Sequence, residues 1–192
     1  MNSAPLMNGD AHESLPDSVE QPTGKVVSNS GLLIALAAIG KLNLLKDLFG
    51  QVCIPAAVYD EVVVHGAGQP GAAETAGAAW ITTLPVTGRL PVNLLRDELD
   101  AGESETIVLA QELRAAYVLM DDAVARRKAQ LIGLPVTGTL GVLLMAKALN
   151  LIPAVKPALD DLRRTDFRMS PSVYWEVLGK ASEAADGLAG AV

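Results

Sequence analysis

At 192 residues and 50% hydrophobic content the chain has enough apolar material for one core with tails, and a two-domain reading is not needed. A formal net charge of -7 argues against a sticky nucleic-acid binder with a broad basic footprint, and 4% aromatic content argues against a platform that stacks several bases. No run reaches the ~20 apolar residues that span a bilayer, residues 1–25 lack a basic-then-apolar signal pattern, and the single Cys53 excludes an internal disulfide. A cytoplasmic protein is the expectation.

Residues 1–24 mix Asn, Asp, Glu, Ser, Pro and Gly without periodicity and read as a disordered leader. From Lys25 short β runs alternate with helical patterns: strands are predicted over 25–28 and 52–54, with helices over 32–38, 42–49 and 56–64 between and after them. A helix over 72–79 and a strand over 80–82 follow, then a loop over 84–90 suggested by Pro85 and Gly88. Asp100 reads as the N-cap of a helix whose apolar stripe is Ile107, Val108, Ala110 and Leu113. A buried strand over 117–120, a helix over 123–131 and a short strand over 135–136 come next. Helices over 142–149, 155–164 and 171–179 precede a flexible tail, leaving a domain over 25–180 and a tail over 181–192. This alternation predicts a three-layer α/β/α sandwich with a central parallel sheet and extra C-terminal helices.

In such sheets functional groups collect where strands pass into helices at their carboxyl ends. Asn29 occupies that position after the first strand and Asp121-Asp122 after the fourth, while Glu61 lies in the helix 56–64 and Glu103 and Glu105 open the helix capped by Asp100. Acids from separated segments converging on one cleft would suit Mg²⁺ or Mn²⁺, hard ions bound by a few carboxylates and waters. Each residue also has a structural alternative. Glu103 and Glu105 complement a helix dipole, Asp121-Asp122 can cap the helix from Ala123, and Thr137-Gly138-Thr139 can be a turn and cap or a phosphate site at a helix start. Arg126-Arg127-Lys128 is a solvated helix face from which Arg126 is best placed to reach a cleft.

At Val27-Ser28-Asn29-Ser30-Gly31, Ile54-Pro55-Ala56-Ala57-Val58-Tyr59-Asp60-Glu61, Asp100-Ala101-Gly102-Glu103-Ser104-Glu105, Met120-Asp121-Asp122 and Pro135-Val136-Thr137-Gly138-Thr139-Leu140-Gly141 the chain resembles the PIN (PilT N-terminus) nuclease domain. It is most similar to an uncharacterised bacterial and archaeal PIN-like family related to toxin ribonucleases. The resemblance covers residues 26–178, and the order and spacing of the motifs carry it. It implies a metal-dependent endoribonuclease using Mg²⁺ or Mn²⁺, RNA as substrate, an antitoxin protein as partner and a homodimer. Carried over by position, Asn29, Glu61, Glu105 and Asp122 would hold the ion, with Asp121 and Glu103 as neighbouring alternatives. Thr139 or Thr137 would place a hydroxyl near water and substrate, and Ser30 and Arg126 would contact the RNA. The chain departs from the family at Asn29, where an aspartate is usual. An amide oxygen can still coordinate a hard ion but brings no charge and cannot act as a base. The alternative reading is therefore a catalytically impaired PIN-like domain that binds RNA or a protein.

Overall fold

The computed structural model describes residues 23–184, so the expected leader, apart from its last two residues, and the tail after Ala184 lie outside the described residues. Strands β1 (Val26–Ser28), β2 (Val52–Pro55), β3 (Ile81–Leu84), β4 (Tyr117–Leu119) and β5 (Val136–Thr137) form one five-stranded, all-parallel sheet of order β3-β2-β1-β4-β5. Both faces of the sheet are covered, and successive side chains serve opposite layers. Val26, Val52, Ile54 and Leu119 enter one hydrophobic cluster, and Val27, Val118 and Met120 the other.

The first cluster is closed by α1 (Ser30–Ala38), α2 (Leu44–Phe49) and the helices after β5. Between β2 and β3 come α3 (Ala56–Tyr59), which runs on as a π-helical turn over Asp60–His65, and α4 (Ala72–Gly77). The second cluster is closed by α5 (Arg89–Leu95), α6 (Ala101–Leu113) and α7 (Ala123–Leu131). Helices α8 (Thr139–Ala148), α9 (Lys156–Leu162) and α10 (Pro171–Lys180) complete the first layer. The result is the three-layer parallel α/β/α sandwich with extra C-terminal helices.

Most elements shift by one or two residues from their sequence-based bounds, and three differences reflect contacts made in the fold. Helix α5 begins at the last two residues of the expected loop over 84–90 and runs on to Leu95. The Glu112 carboxylate of α6 accepts from Thr87 N (3.0 Å) and Gly88 N (2.7 Å), and Arg89 reaches Glu105 (3.0 Å), which together anchor the helix start. Helix α8 starts at Thr139, three residues before the expected 142, because the Asp121 carboxylate accepts from Thr139 N at 2.8 Å. The helix expected over 56–64 extends to His65 but widens midway, with Gly66 N bonding back to Glu61 O at 2.9 Å.

Beyond α10, Glu183 folds back on the domain. Its carboxylate pairs with Lys147 of α8 (2.6 Å) and accepts from Val155 N and Lys156 N (2.8 Å each), while the Lys147 ammonium also donates to Ala181 O. Burial works against the Glu183 charge, but the bonds from Lys147 and the two N–H groups outweigh it and hold its carboxyl below the usual range. A carboxyl lowered in the folded state contributes fully above its unfolded value and loses that contribution as pH falls through the folded one. Glu183→Ala should lower stability by about 1–3 kcal/mol in urea denaturation at pH 7, because it orphans three donors. The gap between wild type and variant should close on acidification below the normal glutamate range, and a gap independent of pH would refute this role.

Candidate active site

The order of strands reverses between β1 and β4, which run side by side at the centre of the sheet with Ser28 opposite Leu119. The crevice of a doubly wound sheet opens at this kind of reversal, outside the carboxyl ends. Asn29 sits there, its N–H donating to Leu119 O at 2.9 Å. Its side chain is only 4% exposed, and Oδ1 accepts from Leu32 N at 3.3 Å, capping α1. Ser30, also buried, donates its hydroxyl to the Glu61 carboxylate.

Glu61 leaves the π-helical turn and meets the start of α6. Gly102 makes room for it: a Cβ there would lie 3.0 Å from Glu61 Oε2 and 3.5 Å from Asp100 Oδ1. Asp100 and Glu103 form a reciprocal capping box, with Glu103 N to Asp100 Oδ1 at 2.7 Å and Asp100 N to Glu103 Oε2 at 3.2 Å. Two of these acids are perturbed. Loss of solvent raises the Glu61 carboxyl above its usual range, and nearby Asp100 adds to the rise against the Ser30 bond and His65. Glu103 is likewise raised, first by burial and then by the like charges of Asp100, Asp122 and Glu61. Acids from three elements therefore feel one another across a small space.

The aspartate pair divides its work between two helices. Asp121 accepts from Thr139 N (2.8 Å) and Thr139 Oγ1 (2.6 Å) at the start of α8. Asp122 Oδ1 accepts from Val124 N (2.8 Å) and Ala125 N (2.9 Å) at the start of α7. Gly138 lies under this arrangement, where a Cβ would stand 2.7 Å from Asp121 Oδ1 and 2.9 Å from Arg126 Nη1. Thr137 and Thr139 are buried.

Of the positions singled out from sequence, the fold brings Glu61 and Asp122 each within electrostatic reach of Glu103 and sets Ser30 beside Glu61. Asp100, read from sequence only as a helix cap, joins them. Glu105 does not: its carboxylate accepts from Ala57 N (3.1 Å) and pairs with Arg89 (3.0 Å), clamping α3 and α5 to α6. The two glutamates are two residues apart on a helix, about 200° around its axis, so they cannot serve the same side. The Asp-x-x-Glu capping box was the sequence signal that couples Glu103, rather than Glu105, to Asp100.

Beside these acids opens a cleft of about 1070 Å³, lined by Asp121, Asp122, Arg126 and Gly138 together with residues of α1, α8, the 164–168 connection and α10. Asp122 belongs to both the acid group and the cleft. Among the described residues, no three His, Cys, Asp or Glu stand close enough to enclose a metal ion, and no helix is long and apolar enough to cross a membrane.

The geometry separates structural acids from strained ones. An acid whose carboxyl is raised in the fold weakens folding as pH climbs from its unfolded value through its folded one. Glu61→Gln should therefore leave the urea midpoint at pH 7 unchanged or higher. Glu105→Ala should lower stability by about 1–3 kcal/mol, because Ala57 N and Arg89 lose their partner. Gly138→Ala should also destabilise, by about 1–3 kcal/mol, through overpacking against the pinned Asp121 carboxylate. Destabilisation by Glu61→Gln comparable to that of Glu105→Ala would contradict this division of roles.

No curated protein matches the chain. The family model DUF3368, described as a PIN domain, matches residues 25–183, which takes in all five strands and every helix from α1 to α10. With its parallel sheet, its strand reversal and its acids gathered at the reversal, the chain belongs to the PIN-domain family.

Proposed function

We propose that the protein is a ribonuclease that hydrolyses RNA phosphodiesters with a divalent ion, Mg²⁺ or Mn²⁺, bound through one or two of the carboxylates Glu61, Glu103 and Asp122. The observation that carries this reading is the meeting of Glu61 with the start of α6 at Gly102, where Glu103 stands within reach of the charges of Glu61, Asp100 and Asp122, in a PIN-family fold. Gathering partly desolvated carboxylates works against folding unless the charge has a use.

The donor set fits such an ion in kind, since all of it is hard oxygen. The acids do not form a closed cage, and Mg²⁺ does not require one: it commonly binds through one or two carboxylates, keeping waters and taking substrate phosphate oxygens. When bound, a divalent ion neutralises phosphate charge and acidifies a bound water. The chain's own groups supply the rest. Ser30 fixes the Glu61 carboxylate by its hydrogen bond, Gly102 lets that carboxylate approach α6, and the helix N–H groups hold Asp122 through one oxygen, Oδ1. Asp121 and Thr139 hold the start of α8 in register beside Arg126, the cation we propose to meet a phosphate.

Asn29 supports a second reading, in which the domain binds RNA or a protein without cutting. Its neutral amide caps α1 at a position where an acid would add a ligand charge. Aspartate caps helices as well as asparagine does, so Asn29→Asp restores the charge without loss of the cap. A toxin role with an antitoxin protein, and a homodimeric assembly, follow from the same family kinship.

Cleavage of a mixed-sequence fluorescent RNA in Mn²⁺ should be slow with wild type, absent in EDTA and lost in Glu61→Gln and Asp122→Asn. Glu105→Gln should retain it. Asn29→Asp should raise the rate at limiting metal by roughly 10-fold to 100-fold, the scale on which altered metal surroundings act. Cutting by Asn29→Asp alone would establish the binding-only reading, and cutting by none of the variants would sink the nuclease proposal.

A further inference from the structure

We infer that the π-helical turn over Asp60–His65 is a positioning device: the wide turn seats the Glu61 carboxylate between α1 and α6, and Gly66 is the positioning residue that lets the turn close. The seating follows from how the segment packs; its use for a divalent ion rests on the ribonuclease reading.

The segment after β2 has two neighbours to satisfy at once. Its first part meets α6, where a Cβ at Gly102 would lie 3.4 Å from Val58 Cγ2. Its second part meets α1 and the entry to α4: a Cβ at Gly71 would stand 3.6 Å from Val62 Cγ1 and 3.5 Å from both Ile34 Cα and Ala37 Cβ. Val58 and Val62 are both buried. In an ordinary α-helix, at 3.6 residues per turn, residue 62 would lie about 40° past residue 58. A turn closed through the fifth residue takes up more residues and draws Val62 back, which resets the angle between the two contacts. Glu61 stands between them. Its carboxylate has Gly102 of α6 on one side, with 3.0 Å from Oε2 to a Cβ there, and Ser30 of α1 on the other. Its carbonyl closes the wide turn by accepting from Gly66 N at 2.9 Å.

Both ends of the device are written in the sequence. Val62-Val63-Val64 is a run of three β-branched residues, which crowd the turns of a regular helix. At Gly66 the need for glycine comes from close approach, since its φ of -83° is open to any residue. A Cβ there would run into Val62 O and stand 3.1 Å from Glu61 O, and neither backbone atom can turn aside. Any side chain at 66 therefore forces the closing bond to open or move. Widened turns of this kind recur at functional sites.

The test uses the full chain and two variants, either of which decides the case. Gly66→Ala removes the room for the closing bond. Deletion of Val64, an exposed residue, leaves Glu61 O and Gly66 N four residues apart, the spacing of an ordinary α-turn, without touching Gly66. In urea denaturation without metal, Ser30→Ala should lower the midpoint in the wild-type background and lower it less in either variant, because Glu61 has left its place beside Ser30. Binding of Mn²⁺, followed by electron paramagnetic resonance of the free ion, should weaken on the order of tenfold in both variants. Glu61→Gln should weaken it in the wild-type background and add nothing in the variants. Glu183→Ala, which releases Lys147 and the start of α9 instead, should bind Mn²⁺ as wild type does. An equal Ser30→Ala shift in all backgrounds, or Mn²⁺ affinity unchanged in both variants, would overturn the inference. Loss of the Ser30→Ala shift in the variants, with no Mn²⁺ binding by any of the proteins, would support the seating of Glu61 and defeat the ion. Mn²⁺ binding and RNA cutting by wild type and both variants alike would defeat the turn's role and leave the ribonuclease reading standing.

Discussion

The parallel pairing of β1 with β4 is the constraint on which the rest of the structure depends. Three residues of each strand, fully or largely buried, set Ser28 opposite Leu119 and let Asn29 N–H bond to Leu119 O. Because the strand order reverses here, α1 and α7 leave the sheet on opposite faces, and the turn between β4 and α7 opens next to the start of α1. Every acid in the site is positioned against this pair. Register is strict in so short a sheet, since a slip of one residue would exchange the side chains of the two cores.

Helix starts do most of the local work around that crevice. Asn29, Asp100, Asp121 and Asp122 each give an oxygen to an otherwise unpaired helix N–H group. Capping therefore places the carboxylates, and the capped helix ends point their positive dipoles toward the same space. The structural and chemical uses of these acids are compatible: Asp122 caps through Oδ1 alone, while Asp121 engages Thr139 through both oxygens. That difference makes Asp122 the better candidate of the pair for an ion, and Asp121 the better anchor for α8.

Glu61 and Glu103 stand out from the other acids because the fold works against their charge. Elsewhere carboxylates are matched: Glu183 by Lys147 and two N–H groups, Glu112 by Thr87 and Gly88, Asp160 by Lys156 and Tyr174. Two carboxyls raised by burial and like charge stand apart from these matched acids, and groups of that kind are candidates for a functional site. The adjoining cleft, lined by apolar, acidic and basic side chains, shares Asp122 with that acid group.

The architecture was legible in the sequence because its signals are local. Short apolar runs such as Val26-Val27-Ser28 and Val52-Cys53-Ile54, separated by periods of helical spacing, determine a covered parallel sheet, and Asp100 and Asp122 announce the helices they cap. The family's motifs determined the neighbourhood of the site in the same way, through the order of Asn29, Glu61, Glu103-Ser104-Glu105 and Asp121-Asp122. Helix α5 was not legible, since Pro85 and Gly88 suggest a loop locally and the helix start depends on Glu112 and Glu105 from α6. Nor was the choice between Glu103 and Glu105, which depends on the rotation of α6 against α3. Only tertiary packing, by offering Glu105 the Ala57 N–H and Arg89 while leaving Glu103 within reach of the Asp122 and Glu61 charges, separated the surroundings of these two neighbouring carboxylates.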